Sequence, residues 1–110
     1  TPLAVANADQ IAAIDGIDAL LIGTNDLSLE MGIPGQVGHE RIRAAYGKVA
    51  DACRGHNKVL GMGGVYDQEI AARYIGMGAR MILGASDHGL IMDAAPRRAE
   101  FLRGIALQGT

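Results

Sequence analysis

The chain has 110 residues, of which 49% are hydrophobic and 20% are charged, and its formal net charge is −2. This length suits one domain, and no apolar run approaches the roughly 20 residues that a membrane-spanning helix needs. The near-neutral charge, with three Tyr, one Phe and no Trp, offers neither the basic patch nor the stacking platforms that nucleic-acid binders use.

The N-terminal part of the chain is expected to be helical. Its apolar residues are spaced for one or two short helices that end before Gly16. They are Leu3, Val5, Ile11 and Ile14. No strand is predicted before Gly16.

The next feature is a continuous apolar run from Ala19 to Ile22, which ends in a small polar turn that carries Asp26. A fully apolar run of strand length is typical of a parallel sheet covered on both faces. In α/β folds, ligands and catalytic groups collect at the carboxyl ends of such strands. Asp26 is therefore the first candidate for a catalytic or ligand-binding residue.

The same arrangement recurs twice further along the chain. Each apolar segment ends in a glycine, an Asp lies three residues after that glycine, and helical character follows. The three pairs are Gly23 and Asp26, Gly64 and Asp67, and Gly84 and Asp87. This weak repeat predicts three βα units.

Apolar periodicity predicts the helices between and after these strands. One helix is expected between Gly38 and Gly55, with Gly55 as its stop, and another from Asp67, its N-cap, to about Met77. A third is expected from Asp87 to about Asp93. Because proline breaks helix interiors, Pro96 is expected to start a separate helix.

Right-handed βα crossovers leave three architectures open: an open doubly wound sheet, a small flavodoxin-like domain, or part of an eight-stranded barrel. Three strands are too few for the flavodoxin-like domain. A complete (β/α)8 barrel needs about 250 residues, so this segment would be less than half of one. Such a piece has unpaired strand edges, which predicts a homo-oligomer or association with an N-terminal half.

The segment from Gly16 to Gly32 carries a specific motif, Gly-Ile-Asp-Ala-Leu-Leu-Ile-Gly-Thr-Asn-Asp-Leu-Ser-Leu-Glu-Met-Gly. It resembles the HpcH/HpaI aldolase/citrate lyase family, whose pattern is roughly G-[VI]-D-x-[LIV]-x-[IL]-G-x-x-D-L-S-x-x-[ML]-G. The resemblance extends over almost the whole chain. Gly61–Val65 is similar to the family's seventh strand, and Ile82–Asp87 to its eighth. The resemblance therefore implies an α/β fold, the C-terminal portion of a (β/α)8 TIM-type barrel.

The resemblance also implies a class of reaction and a metal cofactor. Members are metal-dependent class II aldolases and related lyases that make or break carbon–carbon bonds next to an enolate, and a divalent ion, commonly Mg²⁺ or Mn²⁺, holds the keto acid. The motif's Asp is a metal ligand, which corresponds to Asp26. The amides of Asn25 and Asp26 would bind the substrate carboxylate, with Gly23, Thr24 and Gly63 bordering the keto-acid site.

Other parts of the family's site are expected outside this segment. The family's second carboxylate ligand, a Glu on the fifth strand, falls just before Thr1, and its catalytic His and carboxylate-binding Arg lie on earlier strands. The resemblance thus implies part of an aldolase that cleaves 2-keto-4-hydroxy acids to pyruvate and an aldehyde, with no catalytic residue visible here. The alternative is a non-catalytic half-barrel fragment or assembly module.

Several candidate residues also have plain structural interpretations. Asp26 could simply cap the following helix, as expected for Asp67 and Asp87. Glycines in the later turns could admit a phosphate, but close strand packing explains them better; they are Gly61, Gly63, Gly64 and Gly84.

The remaining metal-ligating residue types give no functional signal. The three histidines do not have the spacing of a helix-borne metal pair and are expected at the surface or at helix ends; they are His39, His56 and His88. Cys53 is the single cysteine, which excludes an internal disulfide, and it is expected to be a small core residue. Without a secretory signal pattern, the default expectation is a cytoplasmic protein.

Overall fold

The computed structural model describes residues 1–109. Within this range the chain forms six α-helices and three β-strands. In chain order they are α1 (Pro2–Ala6), α2 (Ala8–Ala12), β1 (Ala19–Gly23), α3 (Thr24–Glu30), α4 (Glu40–Gly55), β2 (Val59–Gly63), α5 (Gln68–Gly76), β3 (Ala79–Ile82) and α6 (Asp87–Arg103). The sequence predicted one or two short N-terminal helices, of which there are two, and the three strands.

The strands form one parallel sheet in the order β1-β2-β3. β1 and β2 pair without interruption from Ala19 opposite Val59 to Gly23 opposite Gly63, so both strands end level. The register between β2 and β3 shifts between Leu60 and Gly61. The prediction of an α/β fold with three parallel strands is confirmed.

Helix α4 forms the centre of the core because its apolar residues lie on one face at helical spacing. It contacts β1, β2, α2 and α3. Its largest buried side chains, Ile42 and Tyr46, have no exposed surface, and Cys53 is buried as expected. This helix therefore connects the N-terminal helices to the sheet.

The ends of α4 differ in detail from the prediction. The helix begins at Glu40 rather than at Gly38, because His39 is its N-cap and the His39 Nδ1 accepts a hydrogen bond of 3.1 Å from the Arg41 amide. Gly55 is the last helical residue, as expected. The left-handed conformation that reverses the chain belongs to Asn57, at φ 54°, since Asn is among the few residues that tolerate this region.

One of the two expected aspartate caps is confirmed. The Asp67 carboxylate accepts a 2.9 Å hydrogen bond from the Ile70 amide at the start of α5. At α6 the expectation was wrong: the cap is Ser86, whose Oγ accepts from the Gly89 amide at 3.1 Å, and Asp87 lies inside the first turn.

The predicted helix break before Pro96 was also wrong. Helix α6 runs continuously from Asp87 to Arg103 with Pro96 inside it. The proline removes one backbone donor, but strong helix formers flank it on both sides, Ala94 and Ala95 before it and Arg97 and Arg98 after it. The loss of one hydrogen bond does not end the helix here.

The C-terminal region differs from the rest of the chain in burial. From Arg80 to Gly109 no residue of the described chain is fully buried. The large apolar residues Leu90, Ile91, Met92, Phe101 and Leu102 are each more than half exposed. Within residues 1–109, no helix combines the length and hydropathy required to cross a membrane.

Candidate active site

Asp26 lies at the carboxyl edge of the sheet, where the turns after β1 and β2 meet because the two strands end level. It is the third residue of α3, and its side chain is exposed. A Cβ added to Gly23 would lie 3.5 Å from the Asp26 Oδ2, so the carboxylate bends back towards the strand end. Within residues 1–109 this carboxylate makes no hydrogen bond or ion pair.

The interpretation of Asp26 as a helix cap is wrong. The N-cap of α3 is Gly23, which supplies no side-chain hydrogen bond, and Asp26 lies three residues further on. A negative charge in the first turn still interacts favourably with the positive end of the helix dipole. The carboxylate remains available to a ligand from solvent.

Thr24, the residue that begins α3, is turned inwards and has no exposed surface. Its Oγ1 lies 2.6 Å from the carbonyl oxygen of Gly63 and 2.8 Å from the hydroxyl of Tyr46. The first contact joins the turn after β1 directly to the end of β2. Two residues predicted to border the substrate, Thr24 and Gly63, are thus bonded to each other, and their contact with substrate stays a prediction.

A second bond joins the same two turns. The Asn25 Nδ2 donates to the carbonyl of Gly64 at 3.4 Å. Gly64 has φ +76°, and a Cβ at this position would lie 2.8 Å from the Asn25 Nδ2. Glycine is therefore required here both by the backbone conformation and by the approach of Asn25.

Ser28 anchors the other side of the Asp26 turn. Like Thr24 it has no exposed surface, and its Oγ donates to the carbonyl of Asn25 at 2.7 Å while accepting from the amide of Gly35 at 3.1 Å. Apart from buried tyrosines, Thr24 and Ser28 are the buried residues of the described chain that carry a hydroxyl. Their hydroxyls thus fix the helix two residues before and two residues after Asp26.

Two tyrosines lie behind this turn. The rings of Tyr46 and Tyr74 are stacked, with centroids 3.8 Å apart and planes inclined by 6°. The Tyr74 hydroxyl donates to the carbonyl of Val37 at 2.5 Å. Burial raises the pKa of Tyr46 to about 12, and burial also raises the pKa of Tyr74.

Sequence reasoning missed the roles of Ser28 and Tyr46. The periodicity of α4 correctly placed Tyr46 on the inward face, but an apolar pattern says nothing about where a hydroxyl is directed. For Ser28 the sequence offered only a conditional signal: a hydroxyl residue in a helix must find a hydrogen-bond partner if it is buried.

The histidines, the cysteine and one of the glycines have the structural contacts that the sequence predicted. His39 caps α4, and the His56 Nε2 lies 2.9 Å from the Asp9 carboxylate. Burial raises the pKa of the Cys53 thiol, which makes it less reactive. A Cβ on Gly61 would lie 2.7 Å from the Leu21 Cδ1 and 2.9 Å from the Met81 Cε, which supports the close-packing interpretation of this glycine.

Residues 1–94 match the family model described as HpcH/HpaI aldolase/citrate lyase. The chain belongs to this family. The structure is also similar to a solved HpcH/HpaI aldolase from Desulfitobacterium hafniense, with a TM-score of 0.79 and 28% identity over 94% of this chain and 40% of that one. A second family structure, from Burkholderia cenocepacia, gives a TM-score of 0.79 and 26% identity over 91% of this chain and 38% of that one.

Two relatives of this HpcH/HpaI family member carry activity names. The 4-hydroxy-4-methyl-2-oxoglutarate aldolase of Hapsidospora irregularis is 39% identical over 94% of this chain and 39% of its own length. The hydroxypyruvate/pyruvate aldolase of Pseudomonas aeruginosa is 33% identical over 91% of this chain and 37% of its own length. The chain therefore spans about two fifths of the length of these relatives.

Proposed function

We propose that this chain supplies one wall of the active site of a divalent-metal-dependent carbon–carbon lyase, an aldolase that cleaves 2-keto-4-hydroxy acids to pyruvate and an aldehyde. The observation that carries this proposal is the exposed Asp26 carboxylate, which lies at the carboxyl edge of a parallel sheet without a partner among residues 1–109. Its place in the Asp-Leu-Ser motif of an aldolase and lyase family supports it further.

Asp26 fits the role of one metal ligand. Mg²⁺ and Mn²⁺ prefer oxygen donors, and Mg²⁺ is often held by one or two carboxylates while other positions remain for water and substrate. Within the described residues, no group of three His, Cys, Asp or Glu side chains could hold a metal ion, so further ligands must come from elsewhere. A bound ion would stabilise the negative charge of the enolate as a Lewis acid.

The neighbouring backbone suits an anionic substrate. Because the N-cap Gly23 has no side chain, the amides of the first turn of α3, including those of Asn25 and Asp26, have no capping group. Such amides, at the positive end of a helix, favour a carboxylate. Relatives named for 2-oxoglutarate derivatives and for pyruvate are consistent with a 2-keto acid as the substrate.

The test is the Asp26→Asn variant of the full-length gene product, assayed for pyruvate release from a 4-hydroxy-2-keto acid. We expect kcat/KM to fall by at least about 100-fold, because losing a ligand costs more than the 10- to 100-fold typical of groups behind the ligands. Binding of Mn²⁺ alone, followed by the electron paramagnetic resonance signal of the free ion, should weaken in parallel.

Asp67→Asn is the matched control. It changes the equivalent Asp of the next βα unit, whose carboxylate caps α5, and Asn is an equally good cap. We expect cleavage and Mn²⁺ binding to remain within about twofold of wild type, well inside a 0.5 kcal/mol surface effect. Normal cleavage by Asp26→Asn would refute the proposed role of Asp26.

A second candidate function, a non-catalytic assembly module, is favoured by one observation. An apolar cleft of about 360 Å³ lies along the free edge of β1, lined by α1, α2 and the strand itself, while α6 exposes large apolar residues. Surfaces of this kind mark association sites. We therefore propose that the chain associates with itself or with preceding sequence of its own gene product, and a monodisperse 110-residue monomer in light scattering would contradict association with itself.

A further inference from the structure

We propose that Tyr46 is a positioning residue for the Asp26 carboxylate and that it acts through the hydroxyl of Thr24. The proposal rests on the proposed metal-dependent function of Asp26 and adds a residue from another helix to the machinery of that site. It is carried by the hydrogen-bonded series from Tyr46 through Thr24 to Gly63.

The direction of each hydrogen bond follows from valence. The Gly63 carbonyl can only accept, so the Thr24 hydroxyl donates its single proton in the 2.6 Å bond to that oxygen. The 2.8 Å bond between Thr24 and Tyr46 must then be donated by the tyrosine. The series therefore runs from the Tyr46 O–H to the Thr24 Oγ1 and from the Thr24 O–H to the Gly63 carbonyl.

Burial makes the loss of either hydrogen bond in this series costly. Tyr46 and Thr24 have no exposed surface, so water cannot replace a lost partner without reorganisation of the turn. The Tyr46 ring is also held in place, because it stacks on Tyr74, which is fully buried and hydrogen-bonded to Val37. A fixed ring directs a fixed donor at the first residue of α3.

The hydrogen bonds that hold Thr24 also restrict Asp26, because the two residues are only two positions apart. Both residues lie in the first turn of α3, so a rotation or shift of the helix start moves the carboxylate directly. Ser28 restrains the same helix from the other side, because its Oγ accepts a 3.1 Å hydrogen bond from the Gly35 amide beyond the end of α3. The carboxylate itself has no restraining bond among residues 1–109, so its position depends on these anchors behind it.

The test compares Tyr46→Phe with Tyr74→Phe in the full-length gene product. Each variant loses one buried hydroxyl from the same stacked pair and keeps its ring, but only Tyr46→Phe removes the donor to Thr24. We expect Tyr46→Phe to weaken Mn²⁺ binding by about tenfold, the low end of the effect of groups behind a ligand. Tyr74→Phe should leave the Mn²⁺ dissociation constant within twofold of wild type, since its hydroxyl bonds Val37 instead.

A second readout does not depend on metal. Without metal, amide hydrogen exchange in residues 23–28 should be faster in Tyr46→Phe than in Tyr74→Phe, because local exchange reports the opening of that turn. Thr24→Ser, which keeps the hydroxyl, should exchange more slowly there than Thr24→Val, which removes it. If Tyr46→Phe does not fold, equal exchange in the two Thr24 variants would overturn the proposal, because Tyr46 is proposed to act only through the Thr24 hydroxyl.

The outcomes separate the two proposals. Equal Mn²⁺ affinity and equal exchange in Tyr46→Phe and Tyr74→Phe would overturn the positioning role while leaving the Asp26 function intact. Wild-type protein that does not bind Mn²⁺, or binding unaffected by Asp26→Asn, would overturn the proposed function. The exchange data would then still decide whether Tyr46 holds the turn.

Discussion

The first two βα turns share the same spacing of glycine and aspartate, yet they use the aspartate differently. After β1 the helix begins at once, because Gly23 is itself the N-cap, so Asp26 falls at the third helical position with a free carboxylate. After β2 the chain makes a loop from Gly64 to Tyr66, and Asp67 becomes the N-cap of α5. Whether a carboxylate is available for chemistry thus depends on where the helix begins, rather than on its distance from the glycine.

The two turns also differ in what holds them. The turn after β1 is joined to β2 by Thr24 and Asn25 and supported by Tyr46 from α4. The turn after β2 receives these contacts through its backbone carbonyls and makes room for them with glycine. Rigid support is therefore concentrated behind the free carboxylate, where a ligand site needs it.

The largest loss of stability should come from Gly64→Ala, in the turn after β2. A Cβ there would lie 2.8 Å from the Asn25 Nδ2, and the residue has a positive φ. Gly32→Ala is the control, because Gly32 has nearly the same φ, +73°, with nothing within 4 Å of the added Cβ. We expect about 1–2 kcal/mol of lost stability at Gly32 from backbone strain, and at Gly64 at least about 1 kcal/mol more from overpacking.

Urea denaturation of both variants measures these losses. Equal losses would show that Asn25 moves aside freely, and that its approach to Gly64 does not constrain the turn.

A smaller effect should appear in the pH dependence of stability. Burial raises the pKa of Tyr46 from 10.0 to about 12 in the folded state, so the folded chain holds this proton more tightly than the unfolded chain. The resulting stability is fully present below pH 10 and is lost as the pH rises through 12. The loss should reach at most about 2–3 kcal/mol.

Unfolding free energies measured by urea between pH 9 and pH 12 test this prediction. Tyr46→Phe should flatten the decline, leaving the part due to Tyr74, whose pKa burial also raises. Tyr66→Phe, at a tyrosine that is 68% exposed, is the control and should follow the wild-type curve. A Tyr46→Phe curve as steep as wild type would contradict the burial argument.

The smallest expected effect is the difference in stability between alanine variants of the two aspartates, Asp26 and Asp67. Asp67→Ala should cost about 1 kcal/mol of stability, because it removes the cap that bonds the Ile70 amide. Asp26→Ala should change stability by less than about 0.5 kcal/mol, because its exposed carboxylate caps nothing. Thermal unfolding of the two variants compares them, and a larger loss at Asp26 would show that its carboxylate supports the fold after all.

Residue patterns predicted the strands, the helical N-terminal part and helices α4 and α5, because apolar periodicity reflects burial on one face. They also predicted the Asp67 cap and identified Asp26 as the residue to examine. Patterns failed at α6, where Pro96 was expected to start a separate helix and Asp87 to cap the first one. Whether a residue caps, interrupts or continues a helix depends on the neighbouring turns as well as on its own preference. Both predictions considered only the preference of a single residue.

The α/β class, the three parallel strands, the inward face of α4 and the motif around Asp26 could all be predicted from the sequence, because they depend on local spacing and residue type. The folded chain was needed to show that Asp26 has no partner among residues 1–109, that Thr24 bonds Gly63, and that Tyr46 donates to Thr24. The residues in these bonds are separated by 39 and 22 positions along the chain. Contacts over such distances exist only once the parallel strands end level and α4 packs behind them.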